Sequence, residues 1–295
     1  MRSTGQQRFS GLRAEVDARL AALLPDPDAV PAALVRAAAD AVAGPAKRLR
    51  PLLTLLSAEH FGAPGRGRAA ALDAGCAVEF VHAASLILDD LPCMDDAALR
   101  RGRPAHHRHF GEDVTVLTAV ALLNEAYAIV AAVDLPAEER LLLVRRLTEA
   151  VGFGGLVAGQ FRDLHERAAT DCGPLHVLNG QKTGCLFVAA VEAGAIAGGA
   201  PPERREAARA FGARLGEAFQ ILDDLLDLTS TPEAAGKDVR QDEGKATVVS
   251  LVGAEAARAE IKLRLGQALA ELSDARGGAL GGYVETLFRA TPAAA

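Results

Sequence analysis

Apolar side chains recur every three or four residues along most of the chain, and this spacing is typical of amphipathic α-helices. In the first such segment Phe9, Leu12, Val16 and Leu20 share a face, and Pro25 marks its end. The same pattern, bounded by glycine, proline or polar residues, predicts helices over residues 8–24, 29–42, 68–91, 114–133, 138–151, 154–167, 174–199, 203–228, 255–273 and 283–290. The fold class is therefore predicted to be all-α.

The composition favours one large helical bundle. The chain has 295 residues, of which 50% are hydrophobic, and it contains two tyrosines and no tryptophan. Alanine, leucine, arginine and glutamate are abundant, and these residues favour helices over strands. Because no Ser- or Pro-rich linker divides the sequence, residues 1–295 are expected to form a single domain.

Charge and cysteine usage exclude several classes of protein. The formal net charge is −6 and there is no basic stripe, so nucleic acid is not an expected partner. The four cysteines (Cys76, Cys93, Cys172 and Cys185) are widely spaced, which argues against a zinc ribbon or a disulfide framework and favours the cytoplasm. The N-terminus lacks the apolar core of a secretory signal, and the most apolar runs contain polar residues, so no transmembrane segment is expected.

The stretch 86–103 combines closely spaced carboxylates with arginines. Such carboxylates repel one another unless a cation lies among them, and Mg²⁺ commonly bridges carboxylates to phosphate oxygens. A guanidinium group can donate two parallel hydrogen bonds to two oxygens of one phosphate. Taken alone, the stretch has a second interpretation as a solvated acidic turn. The charged residues concerned are Asp89, Asp90, Asp95, Asp96, Arg100 and Arg101.

A second acidic group lies at the end of the predicted helix 203–228. Asp223 and Asp227 are four residues apart on one helical face, where like charges destabilise an isolated helix. Leucines surround them, so they are expected to be partly buried and held by a metal ion. The two acidic helix ends lie 134 residues apart, and together they are far more specific than either one alone.

Several cations lie next to glycine or proline, where free backbone N–H groups can help to bind an anion. By themselves they are equally explained as solvated side chains. His82, two helical turns before Asp89, is more simply interpreted as a core residue, and the histidines at 106–109 lack the fixed geometry of a metal site. The cations are Lys47, Arg48, Arg50, Lys182, Lys237 and Lys245.

Across roughly residues 40–250 the chain resembles the trans-isoprenyl diphosphate synthase family, which includes farnesyl and geranylgeranyl diphosphate synthases. Residues 88–101 resemble its first aspartate-rich motif and residues 219–227 its second. The resemblance implies a helical bundle of the isoprenoid synthase type around a deep central cavity, and a homodimer. It also implies two or three Mg²⁺ ions bound by Asp89, Asp90, Asp95, Asp223 and Asp227.

The same resemblance implies a Mg²⁺-dependent prenyltransferase that condenses isopentenyl diphosphate with an allylic diphosphate. Asp89, Asp95 and Asp223 would act in catalysis together with Lys182, and Thr183 and Gln220 would lie near the developing cation. The allylic diphosphate would be bound by Arg100, Lys182 and Lys237. Isopentenyl diphosphate would be bound by Lys47, Arg50, His82 and Arg101, and Lys245 falls at another diphosphate-binding position of the family.

Product length is expected to depend on the residues just before Asp89. Ala84 lies five residues earlier, about 7.5 Å down the helix at ~1.5 Å per residue, where a growing chain would pass. An aromatic side chain there, or at the adjacent Ser85, would form a floor. In the family that the chain resembles, an aromatic residue at the position of Ala84 stops growth near fifteen carbons. The resemblance therefore implies a product of at least C20, geranylgeranyl diphosphate, unless Phe80, Phe110 or another side chain forms the floor; a C15 farnesyl product is the alternative.

Three other functions compete with this interpretation. A terpene cyclase would share the metal chemistry, but cyclases steer cations with aromatic walls, and this chain is only 4% aromatic. A noncatalytic partner subunit would share the fold without the activity. A metal-dependent phosphohydrolase is the weakest alternative, because its characteristic His-Asp pairs are absent. The sequence departs from the family at Leu88, Ala97-Ala98 and Ala119-Val120, which are not assigned to metal or diphosphate.

Overall fold

The computed structural model describes residues 2–44, 46–166, 171–229, 246–272 and 278–289, except for the side chains of residues 2–4 and 229. In these ranges the α-helices are α1 (Arg2–Ala22), α2 (Ala32–Ala43), α3 (Leu49–Phe61), α4 (Arg68–Asp89), α5 (His106–Phe110), α6 (Glu112–Ala132), α7 (Ala137–Val151), α8 (Leu156–His165), α9 (Cys172–Asn179), α10 (Cys185–Ala197), α11 (Pro202–Thr229), α12 (Val248–Val252), α13 (Ala254–Ala270) and α14 (Gly278–Arg289). The prediction of an all-α fold is confirmed.

The bundle is organised around α4. This helix packs against α3, α6 and α10, while α11 packs against α10 on one side and α13 on the other. Phe80, Phe187 and Phe211 are completely buried among these helices. Burying a large apolar side chain contributes about 1.5–3 kcal/mol, so such positions supply much of the driving force for folding.

The predicted helix 174–199 is interrupted. Residues Gly180–Gly184 form a π-helical turn between α9 and α10, and the backbone N–H of Cys185 donates to the carbonyl of Gly180, five residues earlier. The interruption was not predicted, because the apolar residues on either side of it are compatible with one continuous helix. Single π turns inside helices are frequent at functional sites, and this one contains Lys182 and Thr183.

A two-stranded antiparallel hairpin, also not predicted, follows α4. Strand β1 (Leu99–Arg100) pairs with β2 (Arg103–Pro104), with Arg100 opposite Arg103. Both residues of the connecting turn have positive φ, 55° at Arg101 and 75° at Gly102. Positive φ at both central positions is characteristic of the type I′ turn that matches the twist of two paired strands. The turn therefore follows directly after Arg100 on β1 and begins with Arg101.

By length and apolar composition alone, α4 and α6 could each span a membrane, although no transmembrane segment was expected. The most apolar window of α4 is 67% buried inside the protein, whereas that of α6 is 39% buried. Core helices of globular bundles commonly meet the same criterion. The difference in burial identifies α4 as a core helix and α6 as a helix with an exposed apolar face.

Candidate active site

A cavity of about 740 Å³ opens among α4, α8, α9, α10 and α11. One part of its lining, the acidic end, contains Asp89 and Asp95 from α4 and the loop after it, and Asp223 and Asp227 from α11. A second part of the lining, the basic end, contains Lys47, Arg50, His82 and Arg101, and the charges of Arg50 and Arg101 both act on His82. The structure thus brings the two distant acidic motifs and the basic residues to one cavity.

The acidic end combines carboxylates with partial burial. Asp89 is the last residue of α4, and Asp223 and Asp227 lie near the end of α11, each only partly exposed. Burial raises the pKa of Asp89 to about 6, and the negative charge of Asp95 adds to the rise while Lys182 opposes it. A cation that binds beside such a carboxylate stabilises its charged form, because the cation offsets the cost of burying the negative charge.

The donor set fits Mg²⁺ bound jointly with a substrate. Within the described ranges, no three Asp, Glu, His or Cys side chains are grouped closely enough to hold a metal ion by themselves. Instead, carboxylates face the cavity from α4 and its following loop and from α11. Mg²⁺ is usually bound by one or two carboxylates together with phosphate oxygens and waters, so two facing pairs suit it when a diphosphate lies between them.

Asp90 differs from its predicted role as a metal ligand. Its side chain is 1% exposed, it does not line the cavity, and it accepts hydrogen bonds from Arg100, with Arg100 Nε 3.0 Å from Asp90 Oδ1. Adjacent helical residues point about 100° apart, so Asp89 faces the cavity while Asp90 faces the protein. Burial by itself would lower the pKa of the Arg100 guanidinium. The hydrogen bonds and the negative charge of Asp90 outweigh this effect, so the pKa is raised. Asp90 therefore holds Arg100 at the cavity wall.

Lys182 reaches the acidic end from the π turn. Its Nζ lies 2.7 Å from Asp163 Oδ2, and Asp163, on α8, is 14% exposed. Burial disfavours the ammonium charge, but Asp89 and Asp163 outweigh it and raise the pKa of Lys182. Asp163 was not identified from the sequence, because one carboxylate within an amphipathic helix carries no distinguishing signal. The charged lysine faces the place where a diphosphate would meet Asp89.

Thr183 and Gln220 meet on the cavity wall. Thr183 Oγ1 lies 2.6 Å from Gln220 Oε1, so the π turn and α11 are joined by a side-chain hydrogen bond. Phe219 also lines the cavity, and its ring centroid is 5.1 Å from that of Phe187. Oxygen lone pairs and the face of an aromatic ring both attract a cation.

The basic end has unused hydrogen-bonding capacity. Arg50 is 9% exposed, and among the described residues its Nε has no hydrogen-bond partner. Burial lowers the pKa of Arg50 and of Arg101, and burial together with the nearby arginines lowers the pKa of His82 well below its ordinary value. Each of these shifts reflects positive charge that lacks full compensation. A bound anion would supply it.

Arg48 anchors the segment that carries Lys47 and Arg50. Its guanidinium is 4% exposed and donates to Asp17 on α1 (2.7 Å), to Glu79 on α4 (3.1 Å) and to the carbonyl of Gly44 (3.1 Å). Arg48 has a positive φ of 51° and immediately precedes α3. The burial of Glu79 was not predicted, since a single Glu in a helix is usually solvated. These contacts fix the entry of α3 at the cavity.

The two residues proposed to control product length differ in their surroundings. Ser85 lines the cavity, whereas Ala84 is fully buried in the core and does not line it. The helical rise places both residues at a similar depth below Asp89. The direction of each side chain depends on the packing of α4, which the spacing to Asp89 does not specify.

Two further predicted residues, and the histidines at 106–109, complete the comparison with the sequence. Lys237 and Lys245 fall outside the described residues. His106 is buried and bonded to Thr115 Oγ1 (2.8 Å) and to the carbonyl of Ala37 (3.1 Å), which agrees with a role other than metal binding. The anion-binding side chains and facing carboxylates described above define an enzyme-like site for phosphorylated substrates within a helical bundle.

Comparison with known proteins identifies the family. Residues 31–277 match the family model for polyprenyl synthetase, and the chain belongs to this family. It is a trans-prenyltransferase. A geranylgeranyl diphosphate synthase from Pseudescherichia vulneris is 45% identical over 282 residues, covering 94% of this chain and 90% of that protein.

Solved structures agree with this assignment. The FPP/GFPP synthase from Zymomonas mobilis has a TM-score of 0.83 and 35% identity, with 97% of this chain and 98% of that chain covered. The geranyltransferase from Helicobacter pylori, complexed with magnesium and isoprenyl diphosphate, has a TM-score of 0.85 and 26% identity, with 97% of each chain covered. The fold is that of the isoprenoid synthases.

Proposed function

We propose that the enzyme condenses isopentenyl diphosphate with an allylic diphosphate in a Mg²⁺-dependent reaction and releases geranylgeranyl diphosphate as its main product. The observation that carries this proposal is that one cavity of about 740 Å³ is lined both by the aspartates of the acidic end and by the cationic side chains of the basic end. Two diphosphate substrates need two different binding surfaces. The geranylgeranyl diphosphate synthase named above, at 45% identity, supports the C20 product.

Two or three Mg²⁺ ions would be held at the acidic end by Asp89, Asp95, Asp223 and Asp227. When bound, they would neutralise the charge of the departing diphosphate. Lys182 and Arg100 would bind the same diphosphate as fixed cations, held in place by Asp163 and Asp90. Lys237 is proposed for this diphosphate on the family resemblance alone.

Isopentenyl diphosphate would bind at the basic end. Arg50 offers a buried Nε without a partner among the described residues, and Lys47, His82 and Arg101 line the same region. Lys245 is proposed as a further diphosphate contact on the resemblance alone. Burial, with a smaller effect from neighbouring arginines, lowers the pKa of Arg50 and Arg101, and a diphosphate there would offset the cost of burying their charge.

The chemical step requires a bond to break before another forms. The allylic C1–O bond breaks, the double bond of isopentenyl diphosphate attacks the resulting cation, and a proton is then lost to the released diphosphate. Thr183, Gln220 and Phe219 face the position of this cation. Their role is to stabilise positive charge with lone pairs and a ring face, while the surrounding apolar helices exclude water.

We also propose that the enzyme is a homodimer assembled through α6. Val116, Leu117 and Val120 lie on one side of this helix and are 41%, 60% and 59% exposed. A contiguous apolar face of this kind is more stable when packed against a second copy of the same helix than when exposed to water.

Light scattering tests this proposal and should give twice the mass of one chain. Leu117→Glu should yield monomers, whereas Leu263→Glu, at a comparably exposed site on α13, should leave the dimer intact. A monomeric wild-type protein would contradict the proposal.

The whole chain is proposed to act as one domain in the cytoplasm. A continuous hydrophobic core runs from Leu12 to Phe288, although the family match covers residues 31–277. Cys76, Cys93, Cys172 and Cys185 are unpaired, which suits a reducing compartment.

Product analysis tests the proposed reaction. The enzyme would be incubated with isopentenyl diphosphate and dimethylallyl, geranyl or farnesyl diphosphate, with and without EDTA, and the products measured by mass spectrometry. A C20 diphosphate is expected, with activity abolished by EDTA. A purely C15 product would refute the C20 assignment, hydrocarbons from geranylgeranyl diphosphate alone would indicate a cyclase, and no diphosphate release would indicate a noncatalytic subunit.

Two substitutions test the metal ligands. Asp89→Ala and Asp223→Ala are each expected to lower kcat by about 10³-fold or more, because each removes a carboxylate that offsets several kcal/mol of charge in the transition state. Glu203→Ala, at an exposed carboxylate in the first turn of α11, is the matched control and should have wild-type activity. Near-normal activity in either aspartate variant would mean that the metal assignment is wrong.

A further inference from the structure

Three polar side chains form a continuous hydrogen-bonded chain along the cavity wall. Gln220 Nε2 lies 2.8 Å from Asp224 Oδ1, one helical turn further along α11, and Gln220 Oε1 lies 2.6 Å from Thr183 Oγ1 on the π turn. Asp224, Gln220 and Thr183 all line the cavity. The chain therefore connects a carboxylate to a hydroxyl group that faces the substrates.

The chemistry of these groups determines the direction of every hydrogen bond. A carboxylate can only accept, so the amide nitrogen of Gln220 must face Asp224. The amide oxygen then faces Thr183, and it too can only accept. Thr183 must donate its hydroxyl hydrogen to Gln220. This assignment does not depend on how the amide is drawn, because the carboxylate excludes the flipped form.

The direction of these hydrogen bonds determines whether the hydroxyl of Thr183 presents its hydrogen or its oxygen lone pairs to the substrate. With its hydrogen committed to Gln220, the Thr183 oxygen has only lone pairs to offer to the cavity. A cation that develops beside it is attracted. If the amide of Gln220 were flipped, the hydroxyl would accept from nitrogen and its hydrogen would be free to point at the cation, which would repel it.

Asp224 is also distinct from its acidic neighbours. It is 7% exposed, whereas Asp223 and Asp227 are more exposed and were the two residues of this motif assigned to Mg²⁺. Successive helical residues point about 100° apart, so Asp224 and Asp223 face different groups. Burying a carboxylate costs free energy unless the carboxylate is hydrogen-bonded, and the amide of Gln220 supplies such a bond.

We propose that Asp224 is a positioning residue that orients the Asp224–Gln220–Thr183 chain so that oxygen lone pairs face the allylic cation. The inference rests on the proposed roles of Thr183 and Gln220 in the prenyl transfer. Asp224 touches neither the reacting atoms nor the metal ions in this proposal. It acts on the reaction through Gln220 and Thr183.

The test is a double-mutant cycle. Asp224→Asn keeps the shape of the side chain, but its amide can donate or accept, so the direction of the chain is no longer fixed. Steady-state assays with geranyl and isopentenyl diphosphates should show kcat lowered by roughly 10-fold, the value of one well-placed hydrogen bond, with both KM values unchanged. In a Thr183→Val background the same substitution should cause no further loss. Thr183→Ser, which keeps the hydroxyl, should retain the dependence on Asp224.

Two results would overturn the inference. One is a loss of kcat from Asp224→Asn that is equally large in the wild-type and Thr183→Val backgrounds. The other is a rise of about fivefold or more in the Mg²⁺ concentration needed for half-maximal activity, which would mark Asp224 as a metal ligand. If Asp224→Asn does not fold, the smaller Asp224→Ser, which leaves room for a water, replaces it in the cycle. A wild-type enzyme that forms no prenyl product would instead refute the proposed function.

Discussion

Ser85 and Ala84 are neighbours on α4, yet one lines the cavity and the other is completely buried in the core. Ser85→Phe should place a ring across the path of the growing chain and shift the main product from C20 to C15 or shorter. Mass spectrometry of the products measures the shift. The reason is steric, because a ring fills the space that the additional isoprene unit needs.

Ala84→Phe is the matched control for this substitution. A phenyl ring at a fully buried alanine overpacks the core, which typically costs about 1–3 kcal/mol of stability. We expect a lower melting temperature without a selective change in product length. Shortening by Ala84→Phe but not by Ser85→Phe would show that the growing chain passes along the other face of α4.

Arg48 makes three hydrogen bonds that a lysine cannot reproduce, to Asp17, Glu79 and the carbonyl of Gly44. Arg48→Lys should lower the free energy of unfolding by about 2–3 kcal/mol, because charge-assisted bonds to a buried carboxylate are lost. The KM for isopentenyl diphosphate should rise several-fold, since Lys47 and Arg50 flank this anchor. Denaturant unfolding and initial-rate assays measure the two effects.

The partly exposed pair Arg19–Asp73 provides a comparison. Arg19 is 39% exposed and bonds both oxygens of Asp73, so Arg19→Lys removes a similar geometry near the surface. Surface pairs of this kind contribute at most about 1 kcal/mol. Equal losses of stability in the two variants would argue against a special role for burial at Arg48.

Among the structural elements, the π turn depends on close packing by α8. A Cβ atom added at Gly159 would lie 2.6 Å from the Cα atom of Lys182, far inside contact distance. Gly159→Ala should therefore push α8 and the π turn apart and lower kcat by at least about 10-fold, since misplacing a catalytic group by about 1 Å is costly. Initial-rate assays with saturating substrates measure the loss.

Gly180, in the same turn, allows a control. A Cβ atom added there meets nothing within 4 Å. Gly180→Ala should thus retain most of the activity, and its effect on stability should be small. If both variants were equally active, the contact between α8 and the π turn would not be what positions Lys182.

The sequence predicted the long helices well because their apolar faces repeat over several turns and proline or glycine marks their ends. Leu49–Phe61 had no predicted bounds, since eleven of its thirteen residues are buried and a helix buried on all sides has no polar face to reveal its period. The π turn was missed because Gly180–Gly184 contains no apolar residue, so the sequence has no periodicity there that could reveal a change in helical period. Each strand of the hairpin has only two residues, too few to show the alternation of apolar and polar residues that predicts a strand.

For the whole molecule, His82 predicts how stability depends on pH. Burial and the neighbouring arginines lower its pKa in the native state, so the native protein stays neutral at this residue where the unfolded chain takes up a proton, below about pH 6.5. The contribution of His82 to stability should therefore fall as the pH falls from 7.5 to 5.5. The loss from one such histidine is at most about 1.4 kcal/mol over this range.

Comparison with His82→Gln isolates this contribution. Asp89 acts in the opposite direction, because its raised pKa of about 6 lets the native state take up a proton as the pH falls. Asp89 titrates in both proteins, so the difference in their unfolding free energies, measured by denaturant titration at each pH, reports His82. A difference that does not change between pH 7.5 and 5.5 would mean that native His82 is protonated.

At this scale the sequence predicted which motifs would meet, but not what holds them. Asp89 and Asp223 were paired because like charges at helix ends need a shared cation. Asp163, Glu79 and Asp224 were not singled out as supports, because each is one carboxylate in an amphipathic helix and its burial depends on which helices cross nearby. Asp90 is grouped with Asp89 in the sequence-based metal site because the two are neighbours in sequence. Adjacency in sequence does not specify the direction of a side chain.

The hairpin after α4 has a consequence for how this enzyme can change. Arg100, on β1, lies in the field of Asp89, Asp90 and Asp95, while Arg101, in the adjoining turn, lies in that of Glu79, Arg48, Arg100 and Asp90. In the proposed function the hairpin would therefore supply one cation to each diphosphate. An inserted or deleted residue in this turn would disturb both substrates at once. The affinities for the two substrates are therefore mechanically linked, and we expect variation in this loop to be confined to substitutions that keep its length.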